Sequence, residues 1–340
     1  ITNGGNSDLQ PDWLWIKNRS SSGGTGPNII FDSTRGATKD LHTNNTEAEH
    51  TNSNTCKSFN TDGFTVGDSG AVNNNTDNFV AWQWKANGGT TSSVSASGNG
   101  TDADTTKAGT YQANTTAGFS IVTFSTGAIS NGDHRIEHGL GAVPHFIITK
   151  SRDNAADWYT YHHKGTDDND YLRINHTNGT SNAGSRNVFD GSDFTSTYFE
   201  MDYNNILLQN ENFVAYCFRE IQGYSKFGSY TGNANDDGPF LYTGFKPKFA
   251  IFKASSVNGE GWAIRDSARD SFNQMSGKIS ANVNAAEGTT ADDNDCDFLS
   301  NGIKLRSNDN QMNKTGTTFV YIAFAEHPFV SSKGVPCTAR

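Results

Sequence analysis

The chain has 340 residues and a formal net charge of −10, and only 34% of its residues are hydrophobic although it contains 22 Phe, 11 Tyr and 6 Trp. This length exceeds one comfortable core and predicts two or three domains. The negative charge opposes binding to nucleic acid or to an anionic membrane, and no apolar run reaches the roughly 20 residues of a membrane helix.

Polar turn-forming residues separate the apolar runs throughout the chain. Asn, Thr, Ser, Gly and Asp fill these gaps, and few stretches carry the residues that sustain a helix of several turns. The composition therefore predicts an almost all-β protein. The chain begins with Ile1 and shows no signal-peptide pattern, so we expect a processed product or a part of a longer chain.

One strand pattern of proline, aromatic residue, apolar run and lysine occurs three times, at residues 11–17, 144–150 and 247–253. Proline suits the first residue of a strand, and the residues after it are apolar on both faces. Each copy predicts a central strand covered on both sides.

A second apolar run closes each repeat, at residues 79–84, 213–218 and 319–324. Its spacing from the proline is nearly constant: 68 residues from Pro11, 69 from Pro144 and 72 from Pro247. Such spacing indicates tandem copies of one domain. We define module 1 (residues 1–86), a linker (87–117), module 2 (118–222) and module 3 (223–340), and short strands between turn signals predict a β-sandwich for each module.

Alternation along the closing strand defines two faces. The first face carries the larger side chains, and we expect it to form the sandwich core: Val80, Trp82, Trp84, Val214, Tyr216, Phe218, Val320, Ile322 and Phe324. The second face carries an aromatic residue and then mostly small ones: Phe79, Ala81, Gln83, Phe213, Ala215, Cys217, Phe319, Tyr321 and Ala323. That composition favours close packing by another element, with a shallow ligand groove as the alternative.

Module 1 lacks the opening strand that precedes the proline in module 2 (residues 118–124) and module 3 (226–231). An incomplete sandwich exposes an unpaired edge. We expect the missing strand to lie upstream in a longer precursor, to come from a neighbouring chain or to come from the linker. The linker itself predicts a flexible tether or a polar hairpin with strands near Val94 and Tyr111. The short join at 219–224 predicts that modules 2 and 3 pack rigidly while module 1 hinges.

A charged pair recurs at one offset, as Asp32 with Arg35 and as Asp266 with Arg269. Module 2 has His162-His163-Lys164 there instead. Repetition in two modules favours a structural ion pair over catalysis, and nothing selects a carboxylate pair for glycoside hydrolysis.

Three other patterns have chemical readings that we consider weaker than the structural ones. Residues 67–70, Gly-Asp-Ser-Gly, resemble a protease nucleophile loop but predict a turn, because a histidine base and a buried aspartate are not indicated. His162 and His163, with His134 and His138 upstream, do not predict a metal site, because adjacent strand residues point to opposite faces. The acidic runs 167–170, 235–238 and 292–295 lack EF-hand spacing and predict solvated turns, with calcium as a minor alternative. We therefore predict no cofactor and no metal.

The four cysteines are too few for a disulfide framework. Cys217 lies in an apolar run and predicts a buried thiol. Cys56, Cys296 and Cys337 lie in polar surroundings, where they could pair or stay free.

Several of these segments resemble a repeated, largely uncharacterised domain of virion proteins from marine phages, such as those that infect cyanobacteria. The resemblance spans nearly the whole chain and is carried by residues 11–19, 31–37, 62–67, 79–82, 223–233 and 298–302. It implies concanavalin-like jelly-roll modules in a tail-fibre-like or other structural virion component, located on the virion surface or outside the cell. It implies no catalytic residues.

We therefore expect a non-enzymatic structural protein of a phage particle: a fibre, an appendage or a surface decoration. Its expected partners are other copies of itself, other virion proteins and a host-surface glycan. The alternative is a carbohydrate-binding protein, for which Tyr159, Tyr161, His162 and His163 are the candidate ligand-binding residues. A surface polysaccharide depolymerase is the least favoured hypothesis.

Overall fold

Strands are the main regular secondary structure in the described part of the chain. The computed structural model describes residues 1–4, 8–20, 26–97, 105–129, 132–182, 188–202, 209–288 and 295–328. Within these ranges the helices have only three or four residues each, and the sheets are antiparallel apart from one short parallel pairing. The all-β prediction is confirmed, and its physical basis is that the apolar runs are short and bounded by turn residues. No helix in the described ranges is long and apolar enough to cross a membrane.

The elements of each module follow in chain order. Module 1 and the start of the linker contain β1 Trp13–Asn18, β2 Asn28–Asp32, β3 Lys39–His42, β4 His50–Thr51, β5 Cys56–Phe59, β6 Phe64–Val66, α1 Gly70–Asn73, β7 Phe79–Trp84 and β8 Ser92–Val94. The rest of the linker and module 2 contain β9 Thr105–Thr106, β10 Gly109–Asn114, β11 Phe119–Ser125, β12 Asp133–Glu137, β13 Phe146–Ser151, β14 Tyr159–His162, β15 Asp170–Arg173, β16 Ser181–Asn182, a 3-10 helix Gly191–Asp193, β17 Tyr198–Asp202 and β18 Asn212–Phe218. Module 3 contains β19 Ser225–Thr231, β20 Phe240–Tyr242, β21 Pro247–Ala254, β22 Ala263–Asp266, β23 Ile279–Ser280, β24 Cys296–Leu299, β25 Gly302–Leu305, α2 Asn310–Asn313 and β26 Thr318–Ala325.

Each module has one large sheet and one small sheet. The large sheets have the orders β4-β3-β2-β1-β7, β16-β15-β14-β13-β18-β11-β10-β8 and β19-β26-β21-β22-β23. The small sheets are β5-β6, β17-β12-β9 and β20-β25-β24. The proline-led strands β1, β13 and β21 each lie inside a large sheet and are almost entirely buried, as the sequence predicts.

The three large sheets share one register. In each sheet, the aromatic residue of the proline-led strand faces the polar residue that ends the next strand. These pairs are Trp13 with Asp32, Phe146 with His162 and Phe249 with Asp266. Equal registers place equivalent side chains at equivalent points of each sheet, which supports the interpretation as a threefold repeat.

The first face of the closing strands does not form three separate sandwich cores, and that expectation is wrong. It packs into one cluster shared by all three modules. The ring of Trp84 in module 1 lies 5.4 Å from that of Phe249 and 5.2 Å from that of Phe324 in module 3, and Trp13 lies 5.1 Å from Tyr216 in module 2. The largest apolar side chains therefore join the modules together.

The second face forms the core inside each sandwich. In module 2 it packs against Phe199 and Met201 of the small sheet, and in module 3 against Leu241 and Ile303. This matches the prediction of close packing by another element. In module 1 the small sheet has only two strands, and a groove of about 270 Å³ remains beside Phe79 and Ala81.

The described part of the linker extends the sheet of module 2. Strand β10 pairs with β11, and β8 pairs with β10, so a polar hairpin docks on that edge. In modules 2 and 3 the closing strand is flanked by the opening strand, β11 or β19. No described strand occupies that side of β7. The described part of the linker therefore does not supply the missing strand, and the other two sources remain predictions.

Candidate functional site

The three modules meet at junctions that repeat one set of contacts. In each junction a backbone N–H of one module donates to a carbonyl at the end of the next module's proline-led strand. These pairs are Glu49 N to Arg152 O at 2.8 Å, Glu287 N to Arg19 O at 2.9 Å, and Thr180 N to Ser255 O at 2.7 Å. Modules 1, 2 and 3 each give one such contact and receive one, so the ring closes.

A second set of contacts repeats in the same ring. The side chain at the start of each second strand donates to a carbonyl in a neighbouring module. These pairs are Trp158 Nε1 to His42 O at 2.8 Å, Trp262 Nε1 to Arg173 O at 2.9 Å, and Asn28 Nδ2 to Ser280 O at 3.2 Å. Module 1 is therefore held to both other modules within a shared core, which contradicts the expected hinge.

The repeated Asp–Arg pairs lie at two of these junctions, and the predicted ion pairs are confirmed. Arg35 binds Asp32 with both side chains fully buried, and it also contacts Glu49 at 3.0 Å. From module 2, Tyr216 donates its hydroxyl to Asp32 at 2.7 Å. Burial opposes the charge of Arg35, yet the surrounding acidic and phenolic groups raise its pKa above the usual value.

The second pair has the same arrangement. Arg269 binds Asp266 at 2.6 Å, and Trp82 of module 1 donates its indole N–H to Asp266 at 3.0 Å. Glu287 then links Arg269 to Arg19 of module 1, the latter at 2.6 Å. Each buried carboxylate is thus partnered within its own module and across the junction.

The candidate ligand-binding residues divide between the core of module 2, which holds Tyr159 and Tyr161, and the junction with module 3, where His162 and His163 lie; the Nε2 of His163 is 2.9 Å from the carbonyl of Phe227. Tyr161 is buried in the core of module 2 with Phe194, and the half-buried Tyr159 packs against Tyr171. On the opposite face of the strand, His162 is fully buried and its Nε2 faces the carbonyl of Tyr321 in module 3 at 3.3 Å. Burial, with the nearby His163, lowers the pKa of His162 to about 3, so its ring is neutral at neutral pH.

The other histidines considered as metal ligands lie apart from that pair. His134 contacts Thr105 at 3.2 Å, and His138 accepts the N–H of Leu140 at 3.1 Å. Burial lowers the pKa of each to about 4. Both histidines serve the packing of module 2.

Two further sequence candidates make structural contacts. Residues 67–70, predicted as a turn, lead into a helix: Ser69 caps α1 by accepting the N–H of Ala71. Asp237 binds Lys304 at 2.6 Å, and residues 292–294 and Cys337 lie outside the described residues. Cys217 is buried as predicted.

Two other cysteines have polar neighbours in the sequence but lie in apolar clusters, and of the two alternatives left open for them the free thiol is confirmed. Cys56 and Cys296 are fully buried free thiols. Burial raises the pKa of each to about 12, which makes them inert at neutral pH.

A cleft of about 480 Å³ opens where the modules meet. Its apolar wall includes Trp84, Ile221 and Tyr224, and its polar wall includes Asn114 and Gln222. Burial raises the pKa of Tyr224 to about 12, so its hydroxyl is neutral at neutral pH. Aromatic faces beside amide groups suit a neutral polar ligand such as a sugar.

Three donor atoms that could hold a metal ion converge at the edge of module 1. Asp40, His42 and His50 each offer one ligand atom, and these atoms lie within 4.8 Å of one another. The sequence patterns predicted no metal, and these three residues were not among the candidate ligands. Their signal is the two-residue spacing of Asp40 and His42, which places both on one face of a strand, with His50 soon after.

The fold defines a class of protein: an all-β chain of layered antiparallel sheets. The chain matches a family model described as a domain of unknown function, DUF7483, over residues 4–328, and it therefore belongs to that family. No curated protein and no solved structure matches the chain.

Proposed function

We propose that this chain is a non-enzymatic structural protein of a phage particle, a fibre, appendage or surface decoration that assembles with further copies of itself. The phage setting comes from the sequence resemblance to virion proteins of marine phages. The observation that carries the structural role is the edge of β7, where the two equivalent sheets have an added strand.

The open edge of β7 is built to receive a strand. The backbone N–H of Arg19 donates to Asn78 O at 2.7 Å in the antiparallel ladder of β1 and β7. Hydrogen-bonded pairs alternate along such a ladder, so the backbone groups of Val80, Trp82 and Trp84 also point toward β1. The N–H and C=O groups of Phe79, Ala81 and Gln83 therefore point away from β1. Among the described residues these groups have no backbone partner, and unpaired groups of this kind template strand addition.

A second copy of the chain is the occupant that this edge fits. Antiparallel pairing of β7 with β7 about a twofold axis at Ala81 would bring each Phe79 opposite a Gln83, which is a self-complementary contact. The apolar groove beside Phe79 and Ala81 would be covered by the same contact. The net charge of −10 keeps the remaining surface soluble.

The test is the oligomeric state of the full chain, measured by light scattering after size-exclusion chromatography. Ala81→Pro removes the central outward N–H and is expected to shift the wild-type oligomer to monomer. Ala81→Val keeps that N–H and serves as the matched control. A wild-type chain that stays monomeric at high concentration refutes assembly through β7, and absence from purified phage particles by mass spectrometry refutes the virion role.

The second candidate function is carbohydrate binding, which the cleft between the modules favours. An aromatic wall with amide groups at its rim is the arrangement that a neutral sugar needs. Gln222→Ala changes an exposed rim residue and is expected to weaken glycan binding while the melting temperature stays constant. A glycan array without any bound glycan excludes this candidate.

A further inference from the structure

A compact set of metal-ligand donors lies on the hairpin formed by β3 and β4. Asp40 and His42 are two residues apart on β3 and therefore share one face of the sheet. His50 on β4 is the direct cross-strand partner of Asp40. The hairpin thus places one carboxylate and two imidazoles on the same side of the sheet edge.

Two of the three donor separations in this cluster match metal ligation better than hydrogen bonding, and all three donor atoms lie within 4.8 Å of one another. Asp40 Oδ1 lies 3.6 Å from His42 Nε2 and 3.4 Å from His50 Nδ1. Hydrogen bonds from N–H to oxygen span about 2.7–3.2 Å. Two tetrahedral ligands that each bind a zinc ion at about 2.1 Å are separated by roughly 3.4 Å.

The Asp40 carboxylate carries an independent sign of a missing ligand. Its side chain is only 3% exposed, and its Oδ1 has no hydrogen-bond partner among the described residues. The other oxygen, Oδ2, accepts the hydroxyl of Thr55 at 3.4 Å. A buried carboxylate oxygen without a donor is costly unless a cation or a donor satisfies it.

The surroundings of His42 complete the pattern. While Nε2 faces Asp40, the other ring nitrogen, Nδ1, lies 3.6 Å from a carboxylate oxygen of Glu47. At this distance the contact is electrostatic and is not a hydrogen bond; with a metal on Nε2, this nitrogen would turn to the Glu47 carboxylate, as metal-binding histidines do. His50 is about half exposed, so the site is open to solvent on one side.

The other two modules lack this set at the same positions. The register aligns Asp40 and His50 with Tyr171 and Ser181 in module 2, and with Lys278 and Gly288 in module 3. A cluster that the fold required would recur with the fold. This one is therefore an addition to module 1.

We propose that Asp40, His42 and His50 bind one divalent transition-metal ion of the zinc class, with water at the remaining coordination position. Two imidazoles and one carboxylate favour such an ion over calcium or magnesium, which prefer oxygen ligands. The ion closes the β3–β4 hairpin, whose Glu49 and His42 carbonyl make contacts to module 2. Metal binding accordingly stabilises the junction between modules 1 and 2.

The test uses the full chain and zinc chloride in isothermal titration calorimetry, with calcium and magnesium chloride as comparisons. We expect one zinc ion per chain, a higher melting temperature with zinc and no comparable effect of calcium or magnesium. Glu47→Gln is expected to weaken zinc affinity by about 10- to 100-fold, and His50→Ala by more. The control, His176→Ala, removes another partly exposed histidine that contacts Asp157 instead and is expected to leave zinc affinity unchanged.

Two results would overturn the proposal. One is no zinc binding by the wild-type chain, and the other is equal zinc affinity in wild type and in His50→Ala. Because His50 is half exposed, its variant should melt at the wild-type temperature without metal, which separates loss of a ligand from loss of fold. Anomalous scattering at the zinc edge should place the ion between Asp40 and the two histidines.

Discussion

The hydrogen bond from Tyr216 to Asp32 ties module 2 to the buried ion pair of module 1. Tyr216→Phe removes only the hydroxyl, and the fully buried ring keeps its place in the shared core. Hydrogen bonds to charged groups contribute about 1.5–3 kcal/mol. Asp32 keeps Arg35 and two backbone N–H donors, so we expect a loss near the lower end, about 1.5–2 kcal/mol.

This loss converts into a small, measurable change of melting temperature. Unfolding entropy of about 2.1 cal/mol/K per residue gives roughly 0.7 kcal/mol/K for a cooperative unit of this size. The expected shift is therefore about −2 to −3 °C by differential scanning calorimetry. Tyr224→Phe is the control, because its hydroxyl has no hydrogen-bond partner among the described residues.

Equal melting temperatures for Tyr216→Phe and Tyr224→Phe would refute the assignment of stability to this junction. A double-mutant cycle with Asp32→Asn then isolates the pair. We expect a coupling free energy of about 0.5–3 kcal/mol, whereas additive effects would show that the two groups act independently.

Three further predictions concern ionisable side chains that are buried or form buried contacts. His162 is neutral in the fold, with a pKa of about 3, which is below its value in the unfolded chain. The free energy of unfolding should therefore fall as the pH drops below about 6.5. His162→Gln should make the urea midpoint of unfolding less dependent on pH between about pH 6 and 4. Burial lowers the pKa of Lys253 to about 7, so the free energy of unfolding should rise with pH from 7 toward 10. Lys253→Met should reduce the slope of unfolding free energy against pH by at most about 1.4 kcal/mol per pH unit. An unchanged slope would show that Lys253 does not cause this pH dependence. Arg152→Met removes two 2.9 Å hydrogen bonds to Glu49 and should cost about 1–2 kcal/mol in urea unfolding, whereas Lys39→Met, a control 4.0 Å from Glu49, should cost under about 0.5 kcal/mol.

Much of the fold was predictable because its signals are local in sequence. The proline-led strands, the closing strands and their turns follow from short-range alternation and from residues that break strands. The Asp–Arg pairs were predictable because repetition at a fixed offset favours scaffold over catalysis. The exposed edge of module 1 followed from counting strands.

The candidate sites were harder to predict because their members are joined by register. Asp40 and His50 are ten residues apart and become neighbours only through cross-strand pairing. Tyr159 and Tyr161 were candidate sugar-binding aromatics, yet the face of β14 that carries them packs in the core of module 2. The proposed metal ligands occupy positions at which the three modules differ. At such positions a repeated domain can gain a function while the residues that maintain its fold stay the same.

The sequence by itself determined the β class, the repeated strands and the existence of two apolar faces on each closing strand. Only the tertiary structure decided that the face with Trp82, Tyr216 and Ile322 joins the modules and that the opposite face fills each sandwich. Alternation along a strand shows only that a face is apolar. Packing inside a sandwich and packing against another module both remove that apolar surface from water, so both give the same pattern. Alternation carries no information about which partner covers the face, since that partner is distant in sequence: the small sheet of the same module for one face and the other modules for the other.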